Sequence, residues 1–319
     1  MSRSFIGIDV SKDALDAHVR PANLSQQFAN NPAGIVELVA WCKTYVPERI
    51  IVESTGPYQK AAVAALLTES LPAVVVNARQ ARDFAKGFGR LAKTDAIDAA
   101  LLAHFGEVVP TTVRPLESKE LLELRDLYDR RSQLVGHLAV EKNHRHAASM
   151  GSSPKVLKDI DHHIAYLQKR IQDLEGRMDR IVEASKTFRL KDEILQTITG
   201  IGDQVSRTLI AYLPELGHRS RQSIAALVGL APFNSDSGKE KGLRHIRGGR
   251  SKVRLGLYQA AVAAIRHCPQ MKAFYTTLKG QGKASKVAIV AVARKILVIA
   301  NALIRTMKPY EVRANPVCP

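Results

Sequence analysis

The stretch SFIGIDVSKDALDAHVRPANLSQQFANNP, residues 4–32, carries three strand signals before any helical one. Residues 4–8 are a short apolar run that ends at Asp9, residues 14–19 alternate loosely, and residues 26–29 make a third short run; these are strand patterns. Asn31-Pro32 then offers an N-cap followed by proline at the first helical position, and Ile35, Leu38, Val39 and Cys42 follow at helical spacing. Further on, residues 49–52 form a β-branched strand ending at Glu53, the Gly56-Pro57 break precedes a helix over residues 58–69, and residues 73–76 return to strand. Three consecutive strands, then helix, strand, helix, strand and helix, predict a mixed sheet with helices on its faces.

The rest of the chain changes character twice. Residues 119–148 are helical and heavily charged, and a Gly-Ser-Ser-Pro break follows at 151–154. Ile160, Ile164, Leu167, Ile171, Leu174, Met178 and Ile181 then alternate at spacings of four and three, a heptad seam read as a coiled-coil arm for self-association. From residue 190 the pattern is helical with Gly-containing turns, residues 229–252 read as an extended loop rich in Gly, Ser, Lys and Arg, and long helices are expected over 253–267 and 285–307. The expected division is 1–115, an α/β domain; 116–187, a helical assembly region; and 188–319, a mainly helical domain.

With 47 Lys and Arg against 30 Asp and Glu, the 319-residue chain carries a formal charge of +17, which favours a polyanionic partner, nucleic acid before membrane. Hydrophobic residues at 45% suffice for a buried core. Cys42, Cys268 and Cys318 are scattered and odd in number, the pattern of reduced thiols in a cytoplasmic protein rather than a disulfide framework. MSRSFIGIDV lacks a signal-peptide run, and Arg294 and Lys295 interrupt the apolar stretch 287–304, so no membrane span is expected.

Four acids fall at predicted element ends: Asp9 in GIDVSK, Glu53 in VESTGPY, and Asp95 and Asp98 in KTDAIDA behind a Thr94 N-cap. Asp95 and Asp98, three apart, share a helix face. If the first and fourth strands are neighbours, Asp9 and Glu53 emerge side by side, and such hard oxygen ligands suit Mg²⁺ or Mn²⁺. Before this pair, Arg79, Arg82, Lys86, Arg90 and Lys93 recur every three or four residues, a solvated helix face or a track for a nucleic-acid backbone.

Together GIDVSK, ESTGPY and KTDAIDA resemble the DEDD, RuvC-like transposases of insertion-sequence family one-ten, relatives of the Piv/MooV DNA invertases, over nearly the whole chain; ESTG departs from the commoner EATG without touching the acid. The resemblance implies an RNase H-like N-terminal fold, an all-α C-terminal transposase domain and a nucleophilic serine. Ser237 in GLAPFNSDSGKEKG stands at the family's serine position, with Ser235 two residues before it. Lys239, Arg244, Arg247 and Arg250 follow as phosphate-binding candidates, and the Thr199–Gly202 turn, with Gly200 and Gly202, resembles a helix-hairpin-helix. What the resemblance implies is a DNA recombinase: Asp9, Glu53, Asp95 and Asp98 hold Mg²⁺, Ser237 forms a phosphoserine link, donor and target DNA are the substrates, a non-coding guide RNA is a partner, and homodimers assemble into tetramers. The rival readings are a RuvC-like nuclease that uses water and a non-catalytic nucleic-acid-binding protein.

Overall fold

The computed structural model describes residues 3–88, 95–113, 117–233, 236–237, 240–241 and 244–311, without the side chains of 95–97, 236, 237, 240 and 241. The chain divides into two compact units, residues 1–117 and 118–319.

In the first unit the strands are β1 (Ser4–Val10), β2 (Ala14–Arg20), β3 (Leu24–Ala29), β4 (Pro47–Glu53) and β5 (Ala73–Val76), and the helices are α1 (Pro32–Thr44), α2 (Lys60–Thr68), α3 (Ala78–Gly87) and α4 (Asp95–Val108). The strands form one mixed sheet in the order β3-β2-β1-β4-β5. β1–β2 and β2–β3 pair antiparallel, whereas β1–β4 and β4–β5 pair parallel. The Asn31 side chain accepts from the Gly34 N–H and Pro32 opens α1, as the Asn-Pro signal predicts.

Both faces of the sheet are covered. Ile6, Ile8, Leu15, Ile50 and Val52 point to one face and pack with Leu38, Cys42 and Leu66 of α1 and α2. Ile51, Val74 and Val76 point to the other, against Leu102 and Phe105 of α4. α4 lies very close to β1: a Cβ added at Gly7 would stand 2.1 Å from the Ala99 carbonyl oxygen and 2.3 Å from the Ala103 nitrogen. Only glycine permits that approach. The C-terminal end of α4 is pinned by Arg49, whose guanidinium donates to the Gly106 carbonyl at 2.9 Å, and by Arg20, which pairs with Glu107 at 2.7 Å.

The second unit contains α5 (Lys119–Ala148), α6 (Pro154–Ala184), α7 (Lys186–Gln196), α8 (Asp203–Tyr212), α9 (Arg221–Val228), the short strands β6 (Pro232–Phe233), β7 (Asp236–Ser237), β8 (Glu240–Lys241) and β9 (His245–Ile246), then α10 (Ser251–His267), α11 (Pro269–Gly280) and α12 (Ser285–Thr306). α12 is long and apolar enough to cross a membrane, yet Val292, Ala293, Ile296, Leu297 and Ala300 are fully buried in the unit's core. Buried Asn301 is satisfied there, accepting from the Gly217 N–H at 2.8 Å and donating to the Arg219 carbonyl at 2.9 Å.

Three sequence expectations change. The seam on α6 packs within the chain: Leu167, Ile171, Leu174 and Met178 share a core with Leu124, Leu127 and Leu134 of α5. Residues 229–252 are more than a loop, because β6 pairs with β9 and β7 with β8, all antiparallel. A helix, α11, stands between the two long helices expected at the C-terminus.

Candidate active site

The acids are placed by strand register. Ile8 of β1 lies opposite Val52 of β4, so the next residue on each parallel strand, Asp9 and Glu53, comes out at the same sheet end. Side chains two apart share a face. Gly7 and Ile51 face α4, and so therefore do Asp9 and Glu53. On α4, Asp98 directly precedes Ala99, the residue that meets Gly7, and the helix runs back from there with its far end pinned near β2 and β4. The N-terminal part of α4, which contains Asp95 and Asp98, therefore lies toward the strand ends bearing Asp9 and Glu53. Each of Asp9, Glu53 and Asp98 is half-buried. The Asp95 side chain and Thr94 lie outside the described residues.

A further acid joins this end of the sheet. Asp16 of β2 is directly opposite Asp9 and so shares its face; Gln27 donates to its carboxylate at 2.9 Å. The loops that follow the strands are tied together by Asn30, whose side-chain amide donates to the carbonyls of Ser11 at 2.8 Å and Tyr58 at 3.2 Å. Gln59 braces the turn after Glu53 by accepting from the Thr55 N–H at 3.2 Å.

Among the described residues no three His, Cys, Asp or Glu side chains are closed around a metal-sized point. The donor chemistry still fits a divalent ion: Asp9, Glu53 and Asp98 offer only carboxylate oxygen from three elements at one end of the sheet, the ligand type that hard cations take.

The basic candidates divide. On α3, Arg79, Arg82 and Lys86 are exposed, because the helix packs on α4 through its aromatic side, with Phe84 and Phe105 rings 5.2 Å apart and Phe88 and His104 rings 4.8 Å apart. Arg79 also lies 3.7 Å from Asp83. Arg90, Lys93, Ser235 and Lys239 lie outside the described residues.

In the second unit Ser237 belongs to a nested antiparallel hairpin. Pro232 and Phe233 pair with Ile246 and His245 at its base, and Asp236 and Ser237 pair with Lys241 and Glu240 near its tip. The base is stitched to the end of α9: Gly249, at φ +70°, comes so close to Gly229 that an added Cβ would lie 2.3 Å from the Gly229 nitrogen, and Arg254 donates to the Gly248 carbonyl. Arg244 and Arg247 are exposed, Arg247 lying 5.2 Å over the Phe233 ring. Arg250 is turned inward instead, with both guanidinium nitrogens on the Glu215 carboxylate at 2.5 and 2.6 Å and a further bond to the Tyr212 carbonyl at 2.6 Å. Gly200, at φ +99°, is required by packing, since a Cβ would sit 2.4 Å from the Ala260 carbonyl oxygen, while Gly202 faces open space at the start of α8.

Comparison with known proteins is decisive for the family. A model described as a transposase of the DEDD, IS110 type matches residues 6–149, and one for the transposase IS116/IS110/IS902 family matches residues 192–276. The chain belongs to the IS110 transposase family. IS110 relatives include the pilin gene-inverting proteins of Moraxella lacunata and Moraxella bovis, each 27% identical over 99% of this chain and the whole of the relative. The uncharacterized 42 kDa protein of insertion element IS900 from Mycobacterium paratuberculosis is 24% identical, with 90% of this chain and 91% of the relative covered. Membership of the IS110 family implies DNA recombinase activity on mobile DNA, and its DEDD domain implies dependence on a divalent metal.

Proposed function

We propose that this chain is a Mg²⁺-dependent DNA recombinase of a mobile element that exchanges strands through a phosphoserine intermediate. The observation that supports it most is the emergence of Asp9 and Glu53 on adjacent parallel strands, under the helix that bears Asp98. The sheet order β3-β2-β1-β4-β5 agrees with an RNase H-like, RuvC-like reading of the first unit.

Asp9, Glu53, Asp95 and Asp98 are the residues that would hold the metal. Mg²⁺ bound there, or Mn²⁺, supplies Lewis-acid polarisation of a scissile phosphate. Ser237, near the tip of its hairpin, is the nucleophile: its Oγ forms a bond to phosphorus, the bond from phosphorus to the 3′ oxygen breaks, and the serine proton leaves as the 3′ hydroxyl gains one. A 3′ hydroxyl on another strand then attacks the phosphoserine and regenerates the serine, so the phosphodiester bond count is conserved. Arg244 and Arg247, exposed on the same hairpin's return, are suited to phosphate oxygens. Donor and target DNA are the substrates, a guide RNA is the proposed specificity partner, and the acids and serine of different copies in a dimer or tetramer share one reaction.

The test is adduct trapping. Ser237→Ala is expected to bind DNA normally and form no covalent protein–DNA product in Mg²⁺, while Asp9→Asn stays folded and does not cut. Strand cutting by Ser237→Ala at the wild-type rate would instead identify a nuclease that uses water.

A further inference from the structure

We propose that a cleft on the α5–α6 hairpin is a stacking site for one unpaired base of a single-stranded nucleic acid. The cleft, about 280 Å³, has an apolar floor that includes Leu134 and Leu167, and its rim is formed by Arg130, His137, His163, Tyr166 and Arg170. It is at or below the lower end of ligand-pocket sizes, about 300–1,000 Å³, which suits a single flat ring better than a whole cofactor.

Ring geometry carries the assignment. The His163 and Tyr166 rings have centroids 6.5 Å apart and planes within 21°. Two near-parallel rings on one helix at the rim of a cleft form the kind of flat platform on which a base stacks. One of the two is already fixed: Nδ1 of His163 lies 3.1 Å from the Glu141 carboxylate, which His144 also contacts at 3.1 Å. Tyr166 is 59% exposed, although it lines an apolar-floored cleft.

The rim supplies the complementary charge. Arg130 donates to Gln133 at 3.0 Å and Arg170 to Asp173 at 3.2 Å; both are exposed pairs on one helix turn, weak enough to yield to a phosphate. An aromatic platform flanked by cations is the recognition chemistry of unpaired strands. RNA and DNA share that chemistry. The site goes beyond the recombinase reading and needs neither the carboxylates nor the serine.

The full chain would be titrated, with anisotropy as readout, against short labelled unpaired DNA, unpaired RNA and duplex DNA. Tyr166→Ala is expected to weaken binding of unpaired strands about fivefold or more with duplex binding unchanged, and Tyr166→Phe to retain it. The Arg130→Ala, Arg170→Ala double variant is expected to lower the salt dependence of single-strand binding by about 0.7 in log–log slope per lost contact. A loss confined to RNA or to DNA assigns the source of the base. Wild-type binding of unpaired strands by Tyr166→Ala would overturn the proposal, as would an equal loss on duplex DNA. A change in sedimentation in place of a change in binding would give the cleft to a second copy of the chain. These surface variants are expected to keep the wild-type melting temperature, measured alongside to separate a binding loss from a folding loss, and duplex binding separately reports on the recombinase reading.

Discussion

Gly7 carries no functional group, yet it sets the height of α4 above the sheet and with it the position of Asp98. Gly7→Ala puts a methyl group into the backbone of Ala99 and Ala103; the expected cost is about 1–3 kcal/mol, read as a lower denaturant midpoint, with metal-dependent cutting impaired as well. Beside it, His18 is opposite Gly7 in the register and 5% exposed, with Nδ1 on Ser25 at 2.8 Å and Nε2 without a partner. Burial first, and the Arg20 charge second, hold its imidazole below the usual 6.5. The unfolded chain therefore takes up this proton at a higher pH than the folded one. The contribution is full above about pH 6.5 and declines as pH falls through the window below it. The melting temperature should drop across that window, and His18→Gln should flatten the drop. Arg250 and Arg247 separate two roles that sequence cannot distinguish. Arg250→Ala, which strips the Glu215 pair, is expected to cost about 2 kcal/mol and leave the salt dependence of DNA binding unchanged. Arg247→Ala should lower that salt slope by about 1 at little cost in stability.

Among the elements, legibility followed apolar pattern. Four of the five strands were readable because each presents a run of buried residues bounded by a turn or an acid, whereas β3 buries only Phe28 and was legible only over its second half; Asp9 and Glu53 were readable as strand ends. Asp16 was overlooked although its signal was present: a tight turn between β1 and β2 places it across from Asp9. α11 was likewise overlooked although its signal was present: Met271, Phe274, Tyr275 and Leu278 stand at helical spacing behind Pro269, and Met271, Phe274 and Tyr275 pack on the unit's core. The hairpin over 232–246 escaped because its strands are two residues long, too short for alternation to register. The seam on α6 was legible as a seam, but sequence alone could not name its partner, which is α5. The faces of this hairpin left outside the α5–α6 core are rich in charge, so any cross-chain association that rests on those charges should weaken as salt is raised.

At the scale of the molecule, each unit closes its own core. The cluster built around α12 draws only on residues after 118, and the two clusters flanking the sheet only on residues before it. Residues 118–311 expressed alone should therefore keep their helical circular dichroism and melt cooperatively; a non-cooperative melt would show that the first unit is needed for folding. The proposed acids and the proposed serine thus belong to units with separate cores. A chimaera joining residues up to 117 to the C-terminal half of another mobile element would inherit two finished interiors.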